Sequence, residues 1–136
     1  MLARVAVLIA LGAIAYGSML PAPFRVMDDR ISIVDNPAIK SVRNIPAIFR
    51  EGYFHDQSYY RPLVNLSFMG EYRAFGVNSF FYNLDNLILH ILNALLVFLL
   101  VSRLTNNDTI GFWTGLLFVI HPVQWELLIN MVLDNV

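Results

Sequence analysis

The run Leu84-Asp85-Asn86-Leu87-Ile88-Leu89-His90-Ile91-Leu92-Asn93-Ala94-Leu95-Leu96-Val97-Phe98-Leu99-Leu100 sets the fold class. It is largely apolar, Asn78 or Ser79 offers an N-cap ahead of it, and Arg103 places a cation near its C-terminal dipole. A helix of about 20 such residues crosses the ~30 Å hydrocarbon core of a bilayer. Residues 80–104 are therefore predicted to form a transmembrane helix. Its polar residues are not scattered. Asn83, Asn86, His90 and Asn93 fall at i, i+3, i+7 and i+10, which puts them on one helix face. Polar side chains within a span face a bundle interior or a watery cavity, or hold helices together through hydrogen bonds. The second role is expected for Asn93. For Asn86 and His90, nearer the loop end, both roles stay open.

The flanks extend this reading. Met1 to Leu20 is nearly all apolar with Arg4 its only charge, and Pro21 and Pro23 stop it, so residues 1–20 read as a first transmembrane helix. The rival is a cleaved signal peptide with Arg4 as its basic start and Ala13-Ile14-Ala15 as its small-residue site. On the other side, Thr105 to Thr109 is a polar turn and Ile110 to Ile120 is apolar again. That stretch is short for a span, so it must run back to Asp108 or onward. Residues 108–136 are expected to hold a third transmembrane helix, a kink at His121-Pro122 and the start of another segment. The chain closes on the apolar stretch Leu127 to Leu133, and a fragment of a longer membrane protein is expected.

Composition agrees. Of 136 residues, 57% are hydrophobic and 14% charged, and the mean hydropathy of +0.59 lies above that of soluble domains. A net charge of −1 gives no general attraction to nucleic acid. With no cysteine, disulfides and thiolate metal sites are excluded. The expected class is an all-α membrane protein of about three transmembrane helices with a long external loop, residues 21–79. That loop carries most of the charge. Ile45, Ile48, Phe49 and Tyr53 recur at helical spacing behind Asn44 as N-cap, and Leu63, Leu66, Met69 and Tyr72 form a second stripe. Both are too short to span. They read as amphipathic helices on the membrane face, or as parts of a small soluble cap.

The chemistry in this loop centres on Met27-Asp28-Asp29-Arg30. Two adjacent carboxylates at a membrane border are costly unless they meet water, a cation or a substrate. The other reading is a solvated turn or helix cap. A carboxylate accepts a hydroxyl proton, and its neighbour can hold the geometry or a divalent cation. Arg61, flanked by Tyr60 and Pro62, suits a phosphate through its two-pronged fork, or is a surface cation. His90 and His121 are candidates to hydrogen-bond the same phosphate or a sugar, with Glu126 about one turn past the kink. His121 also reads as a buttress of that kink. Asn65-Leu66-Ser67 and Asn107-Asp108-Thr109 are glycosylation sequons, a weak signal.

In order, the chain offers Asp28-Asp29, Ile33 with Asn36-Pro37, Ile48-Phe49, Tyr60-Arg61-Pro62-Leu63, then Tyr82, Asn86 and His90, and finally His121-Pro122-Val123-Gln124 with Glu126. This pattern resembles the N-terminal membrane part of the transmembrane and tetratricopeptide-repeat proteins, O-mannosyltransferase-like enzymes of the GT-C glycosyltransferase class. The resemblance implies a multi-span protein of the endoplasmic reticulum or the bacterial inner membrane. It implies a polyprenyl-phosphate-linked sugar as donor and a protein acceptor, with transfer on the luminal or periplasmic side. It places the catalytic base at Asp28 or Asp29. Many members carry tetratricopeptide repeats after the membrane part, and none occur here. The sequence departs from the family after Glu126, reading Met131 to Val136 where relatives have a Gly-Arg-Ala-Asp-like stretch. The alternative is a non-catalytic membrane subunit or truncated remnant that binds lipid or partner helices.

Three spans would put residues 21–79 and His121 on one side, and Arg103 and the N-terminus on the other. Seven basic residues in the loop run against an external loop under the positive-inside rule; the resemblance sets the orientation. A cysteine replacing Ser58 is expected to react with an impermeant thiol reagent from outside, and one replacing Asn106 only from inside. The reverse pattern would sink this orientation, and the mass of the mature chain decides whether cleavage occurs near Ala15.

Overall fold

The structure, a computed structural model, describes residues 1–24, 30–50 and 60–121. The chain divides into two compact units, one of Met1–Ala22 with Asn83–Val136 and one of Pro23–Tyr82. Among the described residues every regular element is helical. Two helical segments are long and apolar enough to cross a membrane, Leu2–Met19 and Ser79–Thr105.

The first unit is built on three helices. They are α1 (Leu2–Tyr16), the part of α4 (Ser79–Thr105) from Asn83 onward, and α5 (Asp108–Ile120). α1 runs on as a 3-10 turn over Gly17–Met19 and stops before Pro21. Asn78 caps α4, its side-chain oxygen accepting the Phe80 amide at 3.2 Å. At 27 residues α4 is about 40 Å long. α5 begins where Asn107 accepts the amides of Thr109 and Ile110 at 2.9 and 3.3 Å. It ends at Ile120, because Pro122 forces His121 into an extended conformation (φ −65°, ψ 129°). At 13 residues α5 is shorter than a span. The third transmembrane helix expected over 108–136 is thus described only as far as His121.

α1 and α5 run parallel, with α4 antiparallel to both. At one end the Arg4 guanidinium donates to Thr109 Oγ1 at 3.0 Å and faces Asp108 at 3.6 Å. Leu8, Ala94, Phe98 and Val119 form the buried core. Glycine decides how close these helices come. A Cβ on Gly111 would collide with Ser102 Oγ and lie 2.7 Å from the Phe98 carbonyl oxygen. One on Gly115 would lie 3.0 Å from Phe98 Cβ and 3.1 Å from the Ala94 carbonyl oxygen. One on Gly12 would lie 2.7 Å from Ile91 Cγ1. Gly111 and Gly115 form a GxxxG pair, the spacing that lets two helix backbones approach in lipid, where packing rather than water exclusion holds helices together.

The second unit packs around Ile33, Ile39, Ile48, Met69 and Tyr82. Here two sequence expectations are corrected. The helix expected from Ile45 is a single turn, α2 (Ile45–Ile48), after which the Arg50 amide turns back to the Ala47 carbonyl at 2.9 Å; Tyr53 lies outside the described residues. Asn44 does not cap it. Its amide donates instead to the Pro37 and Ala38 carbonyls at 3.0 and 3.2 Å, and Ser41 accepts the Arg43 amide. The second stripe does form a helix, α3 (Pro62–Phe75), with Met69 buried and Leu63 exposed. Asn65, the first sequon asparagine, is buried within α3, and that burial closes it to glycosylation. Asn36, beside Pro37, is buried and clamps its turn, donating to the Ser32 carbonyl and accepting the Ala38 amide, each at 2.9 Å.

Replacing Gly115 by leucine is expected to force α5 away from Phe98 and Ala94, and overpacking of this kind costs about 1–3 kcal/mol. Gly70, in α3 with open space around its Cβ position, is the control: Gly70→Ala removes a poor helix former and should be neutral or stabilising by up to about 1 kcal/mol. Thermal midpoints in detergent check both.

Candidate functional site

Asn83, Asn86 and His90 lie toward the end of the first unit opposite Arg4. Asn83 is buried, and its amide donates to the carbonyls of Met19, Leu20 and Ala22 at 3.5, 3.2 and 3.0 Å. These carbonyls follow the end of α1, where intrahelical partners run out; that of Met19 also accepts the Ala22 amide at 3.0 Å. Asn83 thus ties down the chain as it leaves the first helix. Two turns further along α4, His90 Nε2 donates to the Val119 carbonyl at 3.1 Å. Val119 is in the last turn of α5, where the carbonyls have no intrahelical partner. With Nε2 as the donor, neutral His90 keeps Nδ1 as an acceptor. Its ring meets Tyr16 edge-on at 5.2 Å and stacks on Phe118 at 5.4 Å between centroids. One side chain therefore touches all three helices.

Asn86 and His90 do border a cavity, with Tyr16, Met19, Leu20, Asn83 and Leu87. Its volume is about 30 Å³, which suits one or two waters. A sugar phosphate is several times larger. His90 is partly buried and Asn86 exposed, whereas Asn93, expected to bond between helices, is exposed.

The remaining candidates fall elsewhere. Tyr60 is exposed in the second unit and its hydroxyl donates to the Phe49 carbonyl at 3.0 Å. Arg61 is exposed at the N-cap of α3, with Pro62 in the first turn. The guanidinium and the positive end of the helix dipole make that corner favourable to an anion. His121 is exposed at the C-cap of α5. Asp28, Asp29 and Glu126 lie outside the described residues. Among the described residues no three His, Cys, Asp or Glu side chains cluster to hold a metal ion. The structure adds Tyr16 to the expected set. A lone tyrosine in an apolar helix, one turn before a proline, was the signal for it.

Mouse TMTC1, a protein O-mannosyl-transferase by name, is 32% identical over 136 residues, covering 93% of this chain and 14% of that protein. The chain is a relative of the TMTC protein O-mannosyl-transferases. Drosophila Tmtc1 is 31% identical over 130 residues and human TMTC2 32% over 133, each covering 90% of this chain and 15% of the relative. The chain thus spans about a seventh of the length of these TMTC proteins. No family model and no solved structure matches it.

In this TMTC relative, His90→Leu removes the donor to the Val119 carbonyl and is expected to cost about 1–3 kcal/mol. His90→Gln, whose amide can still donate, should recover part of that. A His90→Leu protein of undiminished thermal stability that binds sugar donor more weakly would instead make His90 a donor ligand.

Proposed function

We propose that this chain is part of a membrane glycosyltransferase of the GT-C type, moving a sugar from a polyprenyl phosphate to a protein hydroxyl on the luminal or periplasmic side. The observation that carries this is the similarity to proteins named O-mannosyl-transferases over nine-tenths of the chain. In this reading the membrane is that of the endoplasmic reticulum or the bacterial inner membrane, crossed by α1, α4 and a helix that includes α5. Residues 21–79 stand outside.

The reaction needs a base at the acceptor and positive charge at the leaving group. The acceptor oxygen bonds to the anomeric carbon, the bond from that carbon to the phosphate oxygen breaks, and the acceptor proton passes to a carboxylate. Asp28 or Asp29 takes the proton in this scheme, and Arg61 offsets the charge on the departing phosphate, with Tyr60 beside it. Asn86, His90, His121 and Glu126 are then positioned toward the donor's sugar or phosphate. The 30 Å³ cavity at Asn86 and His90 has room for a water to relay their hydrogen bonds. A metal ion on Asp28 and Asp29 belongs to the same reading.

Asp28→Asn is expected to abolish transfer while leaving donor binding largely intact, because amide and carboxylate are close in shape. General base catalysis contributes ~10²–10⁴-fold. Asp29→Asn should match it if that carboxylate orients the base, and fall short if it faces solvent. Arg61→Lys should weaken donor binding, since a point charge replaces a two-pronged fork. The measurement is transfer of labelled sugar from a polyprenyl-phosphate donor in membranes carrying the protein, or a chimera with residues 1–136 in place of the matching segment of mouse TMTC1. Full activity of the Asp28→Asn, Asp29→Asn double variant would end the enzymatic reading of this loop and favour a membrane module that binds lipid or helices.

A further inference from the structure

The Tyr16 hydroxyl is a group that neither the helix packing nor the proposed reaction uses. Tyr16 closes α1 and is only 3% exposed. Its hydroxyl nevertheless has no hydrogen-bond partner among the described residues. A buried tyrosine normally finds one, and a buried hydroxyl left without a partner is costly. Phenylalanine would keep the edge-on contact with the His90 ring and carry no such cost.

The cavity beside Tyr16 supplies what the hydroxyl lacks. Tyr16 and His90 both border it, with Asn83 and Asn86, and Met19, Leu20 and Leu87 complete the wall. His90 has committed Nε2 to the Val119 carbonyl, so the neutral ring offers Nδ1 as an acceptor. Asn83 has committed its amide to the carbonyls after α1 and keeps its side-chain oxygen. Asn86 is exposed and brings a carboxamide that can donate or accept. The volume of about 30 Å³ equals the share of one molecule in liquid water, and a buried water needs two to four polar partners. Donor and acceptors match that need in number and in sign.

We propose that this cavity is a binding site for a single ordered water, which accepts from the Tyr16 hydroxyl and donates to His90 Nδ1. Its second proton goes to the side-chain oxygen of Asn83 or Asn86. The water then joins α1 to α4 through Tyr16 and His90, while Nε2 of the same imidazole holds the end of α5. Both nitrogens of His90 are engaged, which fixes its tautomer. The site does not depend on the glycosyltransferase reading.

Tyr16→Phe tests this by the sign of its effect. With the water in place, loss of the hydroxyl should lower the thermal midpoint of the full chain in detergent by about 2–8 °C, the scale of one hydrogen bond. Were the cavity dry, removing an unpaired buried hydroxyl would leave the midpoint unchanged or raise it. The water itself is read by magnetic resonance on protein labelled at histidine. A cross-peak between water and the His90 Cε1 proton is expected in the parent chain, identified by its loss in His90→Gln, and should weaken in Tyr16→Phe. An unchanged or raised midpoint, no such cross-peak in the parent, or a cross-peak indifferent to Tyr16→Phe would each overturn the site. None of these readouts is sugar transfer, so failure here leaves the proposed reaction standing, and loss of that reaction leaves the water site standing.

Discussion

The missing side chains at Gly111 and Gly115 are the constraint on which the three-helix unit depends. With no Cβ there, α5 lies against the backbone of α4 at Phe98 and Ala94. That approach fixes the register of α5. Register in turn brings Phe118 and Val119 to His90, about three turns away from the Arg4 contact. His90 does not create this meeting; it reads it. Its hydrogen bond satisfies a carbonyl that the end of α5 would leave bare, and Asn83 does the same for the exit from α1. Both tasks matter more in lipid than in water, because no solvent stands ready to replace the lost partner.

The polar face of α4 thus divides by task. Asn83 and His90 turn inward and finish the ends of neighbouring helices, while Asn86 and Asn93 are exposed. A face 3.6 residues in period is about as wide as one helix neighbour, so its two edges can serve different masters. The cavity between Tyr16 and His90 is what remains where the edge of that face leaves the packed core.

Much of this architecture could be read from the chain. The apolar run around Leu84–Leu100, the prolines after Leu20, the Asn78 cap and the break at Pro122 each act locally, and local signals survive in a sequence. What escaped reading depends on neighbours. Gly111 and Gly115 carry their meaning only once Ser102 and Phe98 lie opposite. Asn44 has the composition of a cap, yet three-dimensional proximity to Pro37 and Ala38 claims its amide. The polar spacing in α4 announced a shared face but not which carbonyls it would meet. Of the candidate site, Tyr60, Arg61, Asn86, His90 and His121 have described places, while Asp28, Asp29 and Glu126 lie outside the described residues.

The ion-paired tip of the first unit has a consequence for synthesis. Arg4 reaches Thr109 across a separation of 105 residues. At roughly 5–20 residues per second, the ribosome needs roughly 5–20 s to deliver that partner. During this interval Gly12 and Leu8 have no α5 to pack against, and α4 has only part of its core. The trio closes last-in, when α5 arrives. A nascent chain paused between α4 and α5 would present a half-built bundle to the insertion machinery, with Gly12 already against Ile91 of α4 but its Val119 side open.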